Sequence, residues 1–301
     1  MKASLTRASI LTMMFAMLMW SGGLSQSARA QAGPSTADPG EAFPAGTPKS
    51  WAESAVRHQL AIIKDDTHPM RYLIRKVDRK GDITREVIES AQGNVARLVQ
   101  RDGKPISAAE DTAERSRLNS ILDSPGEFLK HQQREGAGKN YALQVIQLMP
   151  SATLYSYTPG QPQPPGATSR QVVIDFRPDP AFHPPTMASE LLTGLQGRVW
   201  IDARTGTMTH IQANITRPVN FGWGIVGRVY PGGRLEFEQT FVDGKRWAYS
   251  HLDENVTVRE VMVRTVNDKS RMSAWNFQLL PAPMSYQDAV HALLAEKIPL
   301  Q

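Results

Sequence analysis

The chain has no cysteine, which excludes a disulfide framework, a thiol nucleophile, a thiolate metal site and the acylated cysteine of a lipoprotein anchor. It also has no run of eighteen apolar residues beyond its N-terminal leader, so the sequence offers no transmembrane helix after that point. His58, His68, His131, His183, His210, His251 and His291 are scattered without HExxH or close ligand spacing, and no G-x-S-x-G elbow occurs. The expectation is therefore a protein without a cofactor, metal or catalytic constellation. Charge of one sign is scarce too. The formal +5 falls to +2 once Lys2, Arg7 and Arg29 of the leader are set aside, a balance that gives a nucleic-acid role little support.

What is present begins with an export signal. Lys2 and Arg7 form a positive n-region, Ile10 to Trp20 an apolar h-region, and Ala28-Arg29-Ala30 a small-x-small cleavage site. Cleavage after residue 30 would leave a freely diffusing periplasmic or secreted protein of about 270 residues. Residues 31–49, rich in Pro, Gly, Ala, Ser and Thr without apolar periodicity, read as a disordered linker, and residues 50–301 as one domain.

Ser50 to Glu53 has capping-box spacing, and Trp51, Ala55, Val56, Leu60 and Ile63 recur at helical intervals until Pro69. Three strands follow, Met70 to Val77, Ile83 to Ser90 and Asn94 to Arg101. A second capping box, Ser107 to Glu110, opens a surface helix to about Asp123 with a thin stripe of Ala113, Leu118, Ile121 and Leu122. Ser124 to Gln133 has the pattern of another helix, whereas Ala142 to Leu148 fits helix and strand equally. Proline clusters around Tyr155 and Tyr157 and around Phe182 flank the strand Gln171 to Phe176, and Ser285 to Glu296 is a final amphipathic helix.

From Leu195 to Phe277 the chain reads as one antiparallel meander: β-favouring runs alternate with turn chemistry at hairpin-like intervals. Between Arg234 and Phe241, period-two spacing puts Leu235, Phe237, Gln239 and Phe241 on one face. Val199 and Ile201 are in phase with Ile211, Ala213 and Ile215 across the turn Asp202 to Gly206. This apolar face needs a cover. Helices at Trp51 and Ala289, a second sheet, or a bound apolar ligand would each supply one, so closed core and ligand cavity both stay open for these side chains.

VWIDARTGTMTHIQANI, GRLEFEQTF and the long strand containing Trp247 resemble the outer-membrane lipoprotein-sorting, LolA/LolB-like proteins. The resemblance centres on Ile201-Asp202-Ala203-Arg204-Thr205-Gly206 and covers about half of the mature chain. It implies an α+β fold in which an incurved, mostly antiparallel half-barrel sheet is covered by a few amphipathic helices. It also implies a non-enzymatic protein that binds lipoprotein acyl chains or other lipid for carriage or sorting in the cell envelope, with transient membrane contact. The cavity would be lined by Val199, Ile201, Ile211, Ile215, Leu235, Phe237 and Phe241. The chain departs from the family in its greater length and in the proline-rich insertion Met149 to Ser169.

Gly222 to Gly227 matches G-x-G-x-x-G, but Tyr230-Pro231-Gly232-Gly233 leaves no room for the helix a nucleotide site requires. The alternatives there are a bulged strand connection and an apolar flap in which Phe221, Trp223, Ile225, Val226 and Tyr230 touch lipid or a partner. Two other functions remain in view: an envelope-stress sensor or interaction module binding an envelope protein, and a hydrolase with a dispersed site.

Overall fold

The computed structural model describes residues 45–301 except 66, 223–225 and 261–263, so the leader and residues 31–44 of the linker lie outside the described residues. Order begins earlier than the Ser50 pattern implies. Helix α1 (Pro48–Lys64) is capped by Thr47, whose hydroxyl accepts from the Ser50 amide at 3.1 Å, while Ser50 takes the third helical position. The cause is Pro48: it presets its own helical φ and holds the residue before it extended, as the Thr47 ψ of 154° records.

The first meander forms as β1 (Met70–Asp78), β2 (Gly81–Ser90), β3 (Gly93–Arg101) and the short β4 (Lys104–Pro105). Helix α2 (Ala108–Asp123) starts at the Ser107–Glu110 box, with both reciprocal bonds made. The two-way segment Ala142 to Leu148 is helical, within a 27-residue α3 (Gly126–Ala152) that tolerates Pro150 in its last turn. After β5 (Thr153–Tyr157), β6 (Gln171–Pro178) and a 3₁₀ helix (Ala188–Thr193) comes the long meander. Its strands are β7 (Leu195–Asp202), β8 (Met208–Ile215), β9 (Val219–Phe221), β10 (Gly227–Val229), β11 (Arg234–Val242), β12 (Arg246–Glu260) and β13 (Arg264–Leu279). Helix α4 (Tyr286–Ala295) closes the chain.

The fold is α+β, and the strands make one open antiparallel sheet of thirteen, ordered β4-β3-β2-β1-β13-β12-β11-β8-β7-β6-β5 with β9 and β10 as a side hairpin on β12. The first meander thus docks on the second through β1 and β13, with Met70 opposite Leu279 and Val77 opposite Arg271. Pairing carries one apolar face through the second half of the sheet, from β6 to β13: Ile174, Val199, Ile211, Phe237, Leu252 and Met272 follow one another in register. Helices α1 and α3 and the 3₁₀ helix lie over this face.

The two helices expected as joint covers sit on opposite sides. Ala289, Val290 and Leu293 of α4 pack with Ile88 and Val95, whereas Val87 belongs to the cluster of Tyr72 and Ala274. Adjacent strand residues point to opposite faces, so α4 covers the back of β2 and β3. Helix α2 joins it there. It is more than a surface helix, since Leu118 is fully buried, although Ala113 is exposed. Arg97 ties the layer together from complete burial, donating to the Leu293 carbonyl at 2.5 Å and the Glu296 carbonyl at 2.9 Å, and to Asp111 at 2.7 Å. A cation at the carbonyl end of α4 is favoured by the helix dipole.

Phe241 corrects the sequence reading. The inward alternation holds for Leu235, Phe237 and Gln239, but the β11–β12 register shifts between Glu238 and Gln239, and Val242 is buried instead. Phe241 is 40% exposed and stacks on Trp247 at 5.0 Å. Past an irregularity in the ladder, period-two spacing alone no longer fixes which face a residue takes.

One inward position carries a charge-bearing group. Glu254 lies between Leu252 and Val256 on the apolar side of β12, 1% exposed, and neither carboxylate oxygen is hydrogen-bonded among the described residues. Burial, reinforced by the charge of nearby Asp268, pushes its carboxyl up to about 8. A carboxyl whose pKa is higher folded than unfolded favours the fold while protonated, so its contribution is complete below pH 4.5 and lost as pH rises through about 8. We expect wild-type stability in urea titrations to fall between pH 5 and 9 by several kcal/mol, on the order of 4. Glu254→Gln should remove most of that dependence; an equally steep dependence in the variant would refute this origin.

Candidate functional site

The Asp202 turn, which carries the resemblance, is a structural device. Asp202 Oδ1 accepts from the Arg204 and Thr205 amides at 2.9 and 2.8 Å, its other oxygen accepts from Ser169, and Gly206 follows in the left-handed region at φ 68°. Burial raises the Asp202 carboxyl, but the hydrogen bonds from Ser169, Thr205 and Arg204 outweigh it and hold it below its ordinary value. The turn also seats α1, because His58 Nδ1 donates to the Gly206 carbonyl at 3.1 Å.

Of the seven side chains expected around a ligand, Val199, Ile201, Ile211, Ile215, Leu235 and Phe237 are 0–8% exposed and packed in one core cluster. The space left beneath Ile215 and Leu235 is a void of about 10 Å³, room for at most one water. The expected hollow is filled by α1, α3 and the 3₁₀ helix. Of the flap residues, Phe221 is buried at 2% and Val226 exposed at 36%, while Trp223 and Ile225 lie outside the described residues. Tyr230 is half-buried beneath Arg228, whose guanidinium lies 5.9 Å from its ring centre. Gly227 leads into strand β10, so the glycine pattern has no helix N-terminus to offer a phosphate.

A cleft of about 550 Å³ opens beside this core, within the usual range for small-molecule sites. The last turn of α1 gives one wall, with Ile62 and Ile63, and α3 gives the facing wall, with Gln132, Glu135, Gly136 and Lys139. The β2–β3 turn forms the end. Gly93 there has φ 122°, a conformation that strains other residues, and a Cβ on it would meet the Gln132 side chain, at 2.1 Å from Oε1. Gln132 Nε2 reaches the Asn94 carbonyl at 3.4 Å.

The floor holds Glu89, Arg246 and Tyr249. Arg246 Nη1 donates to Glu89 Oε2 at 2.6 Å and to the His68 carbonyl, and the same Glu89 oxygen accepts from the Met70 amide at 3.1 Å. Both ionic residues are only 8% exposed, yet Glu89 Oε1 and Arg246 Nε have no hydrogen-bond partner among the described residues. Burial pushes the Glu89 carboxyl up against the opposing pull of Arg246. Tyr249 connects floor to core. Its hydroxyl accepts from Gln59 Nε2 at 2.5 Å, Gln239 Nε2 donates to Gln59 Oε1 at 2.8 Å, and its ring meets Phe237 edge-on at 5.8 Å.

At the mouth, Thr67 Oγ donates to Asp65 Oδ1 at 2.6 Å and lies 2.8 Å from His68 Nδ1, itself 3.4 Å from Asp65 Oδ2. A hydrolytic relay needs the imidazole between hydroxyl and carboxylate, using both ring nitrogens. Here one nitrogen meets both groups and the hydroxyl already serves the carboxylate, which is the bonding of a tight turn. Among the described residues, the one grouping of three metal-ligand side chains lies elsewhere, on β8 and β11.

Sequence reasoning missed Glu89, Arg246 and the α3 wall because five separate segments supply the cleft and no motif spans them. One signal was available: in β2, Glu89 shares the inward face of Val87, a carboxylate on an apolar stripe. No family profile matches the chain, no characterised protein matches it, and no solved structure matches it.

Removing one member of a buried ion pair strands the other charge, which typically costs 3–5 kcal/mol, whereas replacing both by apolar groups is often close to neutral. Glu89→Ala should therefore lower the urea-unfolding free energy by about 3 to 5 kcal/mol. The double variant Glu89→Leu, Arg246→Met should regain most of it; a double variant as unstable as the single one would refute the pairing as the origin of the loss.

Proposed function

We propose that this protein is a non-enzymatic, exported binder of acyl chains or similarly apolar-tailed lipids, serving carriage or sorting within the cell envelope. The site is the α1–α3 cleft in place of the hollow under β7, β8 and β11. The observation that carries the reading is a cleft of about 550 Å³ with an apolar wall at Ile62 and Ile63 and a floor at which one buried acceptor and one buried donor have no hydrogen-bond partner among the described residues. The buried ion pair at its base suits a polar head group, while the tail lies along the wall. The half-barrel architecture, the leader and the resemblance of Leu195 to Phe277 to lipoprotein-sorting proteins support the same reading.

The energetic demand is large. At about 0.8 kcal/mol per methylene, a sixteen-carbon chain in water carries a penalty on the order of 13 kcal/mol, which contact with the protein must offset. A packed core would have to be opened to supply that contact, and the cleft is already formed.

Native mass spectrometry of protein isolated from its own envelope should show a bound acylated molecule, and a fluorescent sixteen-carbon fatty-acid probe should bind saturably. Gly136 gives a blocking variant. A Cβ at this α3 position meets open space, so Gly136→Trp should project into the cleft, keep the helix and weaken probe binding at least tenfold. Phe241→Glu, remote from the cleft lining, should bind within twofold of wild type. Ligand-free spectra together with no saturable probe binding, or unchanged binding by a folded Gly136→Trp protein, would overturn the proposal.

A further inference from the structure

The face of the sheet opposite the core carries a side-chain grouping that the lipid reading does not use. His210 on β8 pairs directly with Glu238 on β11, and Glu236 lies two residues before Glu238 on the same face. His210 Nε2 is 2.9 Å from Glu236 Oε1, and Gln212 Nε2 donates to the same oxygen at 2.8 Å. One ligand atom from each of His210, Glu236 and Glu238 lies within 4.8 Å of the others.

The surroundings hold these groups in place without neutralising them. The His210 ring stacks on Trp200 at 4.4 Å and 16°, and Trp200 is itself fixed by donating to the Pro162 carbonyl at 2.9 Å. Among the described residues, neither carboxylate pairs with a lysine or arginine, and Glu238 makes no side-chain hydrogen bond. Two carboxylates this close repel unless a cation lies between them.

We propose that His210, Glu236 and Glu238 form a binding site for a divalent transition cation, represented by zinc, with one imidazole nitrogen and two carboxylate oxygens as ligands and water completing the shell. Nitrogen–zinc and oxygen–zinc bonds of about 2.0–2.2 Å at a tetrahedral angle place neighbouring ligand atoms ~3.3 Å apart. The His210–Glu236 pair is already near that separation, and a small rotation of the exposed Glu238 closes the third side. The imidazole favours zinc over calcium or magnesium, which prefer all-oxygen shells. Linear spacing hides such a site, because strand pairing brings His210 to residues 26 and 28 positions away.

Tag-free protein, stripped with a chelator and titrated with zinc chloride in a calorimeter, should bind one equivalent saturably. His210→Ala and Glu238→Gln should each weaken binding at least tenfold, and His291→Ala, on α4, should bind within twofold of wild type. The altered side chains lie off the apolar core, so unchanged thermal melts should accompany the losses, and Glu238→Gln, at an exposed position, serves if His210→Ala folds poorly. Absence of saturable zinc binding, wild-type affinity in a folded Glu238→Gln protein, or an equal loss in His291→Ala would overturn the assignment.

Discussion

The buried pair Glu89–Arg246 is the contact on which the cleft and the corner of the fold both depend. Arg246 opens β12, Glu89 closes β2, and between them they bind the His68 carbonyl and the Met70 amide, the backbone by which the chain passes from α1 into β1. A pair buried this deeply contributes little net stability, because desolvation cancels most of the attraction. Its effect is on geometry. It fixes where the first meander meets the second, and so where the end of α1 stands relative to α3, which sets the width of the cleft.

The helices divide the rest of the work by face. Helices α1 and α3 cover the continuous apolar side, and α2 and α4 close the back of β2 and β3 through Leu118, Ala289 and the wholly buried Arg97. Two of the links between layers are polar: Tyr249–Gln59–Gln239 joins α1 to β11 and β12, and Arg97 joins β3 to α2 and α4. Polar contacts of this kind have one satisfactory geometry, whereas apolar surfaces slide with little penalty. They give the layers a register that hydrophobic cover alone does not.

Local chemistry was the legible part. The Ser107 box, the three strands of the first meander and the final amphipathic helix each follow from a few neighbouring residues, and the structure has all of them. What failed was whatever depended on a partner in space. Phe241 turned outward where the β11–β12 ladder is irregular, and the helices at Trp51 and Ala289 went to opposite faces of the sheet. Fold class was readable because alternation is repeated along many strands. The cleft was not, since its floor joins residues 157 positions apart that no periodicity connects.

Covering an apolar sheet and keeping an open volume beside it are competing demands, and this chain separates them in space. Where the sheet is widest its side chains are packed until a void of about 10 Å³ remains, so a ligand there would have to displace core atoms. Creating such room costs roughly 24 cal/mol per Å³, more than 10 kcal/mol for a volume like that of the cleft. Placing the open volume at the helix–sheet corner avoids this, because the cleft there is bounded by α1, α3, the β2–β3 turn and the Glu89–Arg246 floor without any core atom being displaced. Tyr249 is the hinge of the arrangement: one edge of its ring belongs to the core through Phe237 and its other side lines the cleft, so core packing keeps the site in shape.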